Sequence, residues 1–106
     1  MELDIQLIKE LKTKLRLEFG EKIKDVILFG SRAKGTAEEF SDYDVLIVMR
    51  QSPDWNQKRK ISETCYEIEL QYNILIDSHL LSEAELNTLR GKQPIFQRAI
   101  RKGIYV

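Results

Sequence analysis

The stretch VILFGSRAKGTAEEFSDYDVLIV, Val26 to Val48, decides how this chain is read. Two apolar runs bracket a polar segment that begins with Gly30-Ser31, and the second run opens on Asp42 and Asp44, one residue apart. KDVILFG is a short β-branched and aromatic run ending in Gly30, and it predicts a buried strand. Ser31 is placed to N-cap a short helix through about Thr36. GTAEEFS then predicts a loop, and YDVLIVM a second strand. A carboxylate at the lip of a core is costly unless something positive meets it. The pattern therefore asks for a cation.

Residues i and i+2 of a strand share a face, about 6.5 Å apart from the rise per residue. Asp42 and Asp44 thus project together, with Tyr43 on the opposite face. Such a pair suits a hard cation: magnesium takes few carboxylates and completes its octahedron with water and phosphate oxygens. Gly30 and Ser31 supply the complement, because backbone N–H groups at a strand-to-helix junction favour an anion and glycine allows close approach. Arg32 and Lys34 add positive charge. Ten residues separate Ser31 from Asp42, enough for a short helix and a return loop. If the strands are antiparallel neighbours, both halves share one rim, where magnesium carrying a nucleoside triphosphate is the expected occupant. Two other motifs fail. A P-loop needs Lys directly after its second glycine, where Thr36 stands, and an EF-hand needs oxygen ligands where Val45, Leu46 and Ile47 follow.

Outward from this stretch, Leu3, Leu7, Leu11, Leu15 and Phe19 form one helical stripe with Ile8 beside it, closed by Gly20. Ser52-Pro53 predicts a helix start, and Ile61, Cys65, Ile68 and Tyr72 its inner face. YNILIDSHLL has the content of a third strand. Ser82 and Glu85 predict a capping box for a helix that Gly91 ends. Pro94 begins a last helix with Phe96, Ala99 and Ile100 inward, stopped at Gly103 before a short edge strand, IYV. The order predicts an α/β (α+β) fold, a small mixed sheet flanked by helices, as one domain over residues 1–106. Seventeen basic residues balance seventeen acidic ones, so no global field advertises nucleic acid or membrane. Cys65, the lone cysteine, is read as core packing, and His79, the lone histidine, as a strand or surface residue. Lys58 to Lys60 are read as a solvated helix face, and Trp55 as covering the core or anchoring an interface. Without a signal segment or a membrane-length apolar run, the expected location is the cytoplasm.

GSRAKGTAEEFSDYD closely resembles the GSRARG…SDxD element of the DNA-polymerase-β-like nucleotidyltransferases, and the short chain resembles their minimal members, the antitoxin partners of HEPN toxins. The resemblance implies a nucleotidyltransferase core in which Gly30, Ser31 and Arg32 bind nucleotide. Asp42 and Asp44 hold magnesium, and a third carboxylate comes from a later strand. Asp77 is the candidate for that third position; otherwise it is a strand-end aspartate near solvent. The implied reaction moves a nucleoside monophosphate, AMP from ATP, onto a hydroxyl of a HEPN-domain partner. The rival expectation is a non-catalytic module that neutralises such a toxin by contact alone.

Overall fold

A computed structural model describes residues 2–38 and 41–106; Glu39 and Phe40, within the expected loop, lie outside the described residues. Helix α1 (Glu2–Phe19) is followed by a 3₁₀ turn at Gly20–Lys22, strand β1 (Ile23–Phe29) and a five-residue helix α2 (Gly30–Lys34). Strand β2 (Tyr43–Met49), helix α3 (Trp55–Tyr72) and strand β3 (Ile76–Ser82) come next. A 3₁₀ helix at Glu83–Asn87 leads to α4 (Pro94–Lys102) and the two-residue strand β4 (Ile104–Tyr105).

The sheet order is β3-β2-β1-β4. β1 is antiparallel to both β2 and β4, whereas β2 and β3 run parallel. A parallel pair needs a long crossover, which α3 supplies. Strand alternation divides the core in two. Val26, Leu28, Val45 and Ile47 face α1 and α3, where Leu7, Ile8, Leu11, Ile61, Cys65 and Ile68 are buried. Ile27, Phe29, Leu46 and Val48 face the other way, against Phe96 and Ala99 of α4. Asp44 shares the parity of Leu46 and Val48, so it belongs to the α4 face. No helix among the described residues is long and apolar enough to cross a membrane.

Several expected boundaries move. Leu3 is exposed, and the α1 stripe continues at its first turn through Asp4. The reason is polar: the Tyr43 hydroxyl donates to Asp4 Oδ1 at 2.7 Å, and Arg32 Nη1 lies 3.6 Å from Asp4 Oδ2. α3 is capped by Asp54 rather than Ser52, through a reciprocal box with Gln57. The Ser82–Glu85 box forms, but its helix stops long before Gly91, because Thr88 turns both its N–H and its hydroxyl onto the Glu85 carbonyl. β3 starts only at Ile76, since Asn73 closes α3 in the left-handed conformation and Tyr72 is its last residue. Ser31 is not an N-cap. Phe29 occupies that position without a side-chain cap bond, and Gly30 already reverses the chain at φ 72°.

Two features hold the β1–α2–β2 corner. A Cβ on Gly30 would stand 2.2 Å from Asp44 Oδ2, at a φ that side chains disfavour. Arg32 reaches back over the Tyr43 ring, 4.3 Å from its centroid, and its Nη2 donates to the Ser41 carbonyl at 2.9 Å. Burial, reinforced by the bond to Asp4, pushes the Tyr43 phenol up to about 12, so it remains a donor throughout the neutral range.

Two stability tests follow from this corner. Tyr43→Phe should cost about 1.5–3 kcal/mol in urea unfolding, the range for a hydrogen bond to a charged group; a loss within error would remove the clamp from the account. Gly30→Ala should cost about 1–2 kcal/mol from the left-handed backbone alone, plus the collision with Asp44. Adding Asp44→Ala should recover the collision part and leave the backbone part; a double variant as unstable as the single one would show that no collision exists.

Candidate active site

The antiparallel register sets Phe29 opposite Asp44, so Gly30 emerges from β1 beside the start of β2. The parallel register sets Asp44 opposite Asp77 on β3. Neighbouring strands lie about 4.8 Å apart, and residues in register share a face. The structure therefore brings the backbone of Gly30 and the carboxylates of Asp44 and Asp77 to one end of the sheet, on the α4 side. Asp42 precedes β2 by one residue and is exposed.

Electrostatics report the same proximity. Asp44 is half-buried, and its carboxyl is held above the usual carboxylate range, first by burial and then by the negative charge of Asp77, with Asp42 adding to it. His79 opposes the shift. The His79 ring packs between Phe29 and Phe96, with centroids 5.9 and 6.1 Å away. Its Nε2 lies 3.4 Å from Asp77 Oδ2, an ion-pair distance without the alignment of a hydrogen bond. His79 is thus a packed neighbour of the carboxylates, not a surface residue.

A cleft of about 340 Å³ opens beside Asp44. Its lining joins Gly30 and Lys34 with Ile95, Arg98 and Lys102 of α4. Ser31 lies in the first turn of α2, next to Gly30, but does not line this cleft. Arg32 points elsewhere, toward Asp4, Tyr43 and Ser41, and holds the backbone just ahead of Asp42. Arg98 and Lys102 were not among the residues singled out from sequence. A helical-wheel reading of PIFQRAIRK could have found them, since they sit one turn apart beside the buried Phe96 and Ala99.

Carboxylates are the donors a hard divalent cation takes, and Asp44, with Asp77 in register beside it and Asp42 two residues before it, is desolvated and destabilised by these like charges. Among the described residues, no group of three or more His, Cys, Asp or Glu side chains is gathered closely enough to hold a metal ion as it stands. The Asp77 side chain is 54% exposed and Asp42 is exposed as well.

Comparison with known proteins places the chain in a family. The chain is 42% identical over 72 residues to a Methanocaldococcus jannaschii protein assigned as a protein adenylyltransferase, an alignment covering 68% of this chain and 73% of that one. The fold matches a toxin–antitoxin crystal structure containing AMP-PNP, with a TM-score of 0.57 and 19% identity over 92% of this chain and 70% of that one. It also matches the complex of tri-AMPylated Shewanella oneidensis HEPN toxin with MNT antitoxin, with a TM-score of 0.50 and 18% identity over 94% and 69% of the two chains. At such identities the likeness to solved structures is one of fold. The sequence match is broader: the nucleotidyltransferase domain family aligns over residues 6–102, and the chain belongs to that family.

Proposed function

We propose that this chain, as one cytoplasmic domain, transfers AMP from ATP to a hydroxyl group of a HEPN-domain partner protein. One observation carries the reading: the two sheet registers bring Gly30, Asp44 and Asp77 to one end of the sheet, where Gly30 and Asp44 line a cleft. In the reaction, the acceptor oxygen bonds to the α-phosphorus, the bond to the α,β-bridging oxygen breaks, and pyrophosphate leaves. Asp77, the carboxylate of β3, takes the proton of the acceptor hydroxyl. The Gly30 backbone and the Ser31 hydroxyl approach the phosphates, while Arg32 acts indirectly by fixing the Ser41 carbonyl and hence Asp42. Asp42, Asp44 and Asp77 would hold magnesium, which when bound neutralises phosphate charge at the reacting centre. The partner assignment is supported by the HEPN complex whose fold this chain shares.

A second reading has its own support. Asp77 is open to solvent and drawn toward His79, which fits a module that neutralises a toxin by contact with little or no chemistry. ATP labelled at the α- or the γ-phosphate separates the readings. Label from the α-position alone, retained on a co-purified HEPN protein, is the expected result. Label from the γ-position would replace nucleotidyl transfer with phosphoryl transfer, and toxin neutralisation without any label would favour the contact module.

Asp44→Asn should abolish transfer. It should also stabilise the protein at neutral pH without divalent cation, because the native carboxyl is held above its unfolded value. A raised carboxyl contributes stability that is present below the unfolded value and is lost as pH rises through the folded one. The melting advantage of Asp44→Asn should therefore shrink toward zero below about pH 4. An advantage independent of pH would have another origin. Ser31→Ala tests phosphate contact without disturbing a cap, since Ser31 makes no capping bond. Its stability should change by less than about 0.5 kcal/mol. Its affinity for AMP-PNP with magnesium should fall about tenfold, on the scale of a hydrogen bond to a charged oxygen. Unchanged affinity would leave the backbone amides as the only phosphate contacts at that corner.

A further inference from the structure

The cleft beside Asp44 has an unbalanced lining. Lys34 comes from α2, Arg98 and Lys102 come from α4, and among the described residues that line it Asp44 is the only acidic one. Among the described residues, none of these three cations forms an ion pair, although Arg32, Arg50, Arg90, Lys24 and others do. Among the described residues, the hydrogen bond of Arg98 stays on its own helix, its Nε donating to the Pro94 carbonyl at 3.5 Å. A helix end attracts basic residues through its dipole, which accounts for Lys102 and for its neighbour Arg101. It does not account for Arg98, a full turn earlier, or for Lys34 on another helix. All three are exposed, and like charges collected along one cleft form a field that attracts a multivalent anion. Phe29, Ala33 and Ile95 supply the apolar part of the lining. Arg and Lys also divide this task well: the guanidinium grips two phosphate oxygens at once, and ammonium groups serve as mobile point charges.

We propose that Arg98 and Lys102, opposed by Lys34, form a subsite for the β- and γ-phosphates of the nucleotide. On this view they select triphosphate over monophosphate and hold pyrophosphate as the bond to the α-phosphorus breaks. The inference rests on nucleotidyl transfer at Asp44. The α-phosphate lies at the carboxylates, and the cations of α4 lie along the same cleft, where the tail of the nucleotide can extend.

The test is calorimetric titration of the full chain with magnesium and AMP-PNP, AMP or inorganic pyrophosphate. The variant Arg98→Gln/Lys102→Gln keeps good helix formers at exposed positions, and Arg101→Gln on the same helix, outside the cleft lining, is the matched control. The double variant should lose about tenfold or more in affinity for AMP-PNP and pyrophosphate, with AMP affinity and melting temperature unchanged. Arg101→Gln should leave all three affinities unchanged, and Arg98→Lys with native Lys102 should retain part of the binding. Equal losses for AMP and AMP-PNP, or equal effects in Arg101→Gln, would reduce the cations to a general field and overturn the subsite. A double variant that binds pyrophosphate as the native chain does would overturn it as well, while leaving transfer at Asp44 intact. A native chain that binds neither AMP-PNP nor pyrophosphate would sink the nucleotidyl-transfer reading along with it.

Discussion

The contact between the Gly30 backbone and the Asp44 carboxylate organises this end of the molecule. It exists because β1 and β2 are antiparallel neighbours in a register that pairs Phe29 with Asp44. It is tolerated because residue 30 carries no Cβ, which would stand 2.2 Å from Oδ2. Slipping the register by one residue would turn Asp44 into the core under α1 and α3 and bring Tyr43 out. Val45 to Met49 are buried on both faces, so the polar pair opposes that slip: Tyr43 would lose its bond to Asp4 and the Asp44 carboxylate would enter an apolar core. Stability and site geometry here have one cause.

Around that contact the charges are arranged in two shells with different purposes. Arg32, Asp4 and Tyr43 form a nearly closed polar group on the α1 face, with the two charged side chains each only 13% exposed. Breaking such a group leaves a largely buried charge with one partner fewer, which is costly. The carboxylates on the α4 face are the opposite case. Asp44 is destabilised by burial and by Asp77, with His79 giving partial relief. An arrangement that raises the energy of the ligand-free site favours whatever cation or cation–phosphate complex relieves it. The basic wall of α4 presents the matching problem in positive charge, a short distance along the same cleft.

The secondary structure was largely legible in the residues because its signals are local. Period-two apolar runs marked β1 and β2, period-four stripes marked α1 and α3, and Pro94 and Gly103 bounded α4. The misses share a physical origin: a side chain used by a distant partner instead of its neighbours. Leu3 fits the α1 stripe by spacing, yet Asp4 is buried in its place because Tyr43 and Arg32, from other elements, need a carboxylate there. Ser31 has the chemistry of a cap, but Gly30 makes the turn one residue earlier. The helix expected after Ser82 has a genuine capping box, and Thr88 ends it on the Glu85 carbonyl before a full turn of α-helix accumulates.

The sequence by itself determined the fold class, the strand–turn–strand unit from Val26 to Val48, and the residues around which a phosphate and a metal would be sought. Those features are encoded by side-chain periodicity and by residue types within a few positions of one another, and short-range sterics and hydrogen bonding read them directly. Tertiary structure alone decided that β2 and β3 are parallel and in register at Asp44 and Asp77, that Arg32 is spent on Asp4, Tyr43 and Ser41, and that α4 lays Arg98 and Lys102 along the cleft. Each of these depends on which faces of distant segments bury against one another. That choice is made by the free energy of the whole core, and no window of the chain carries it.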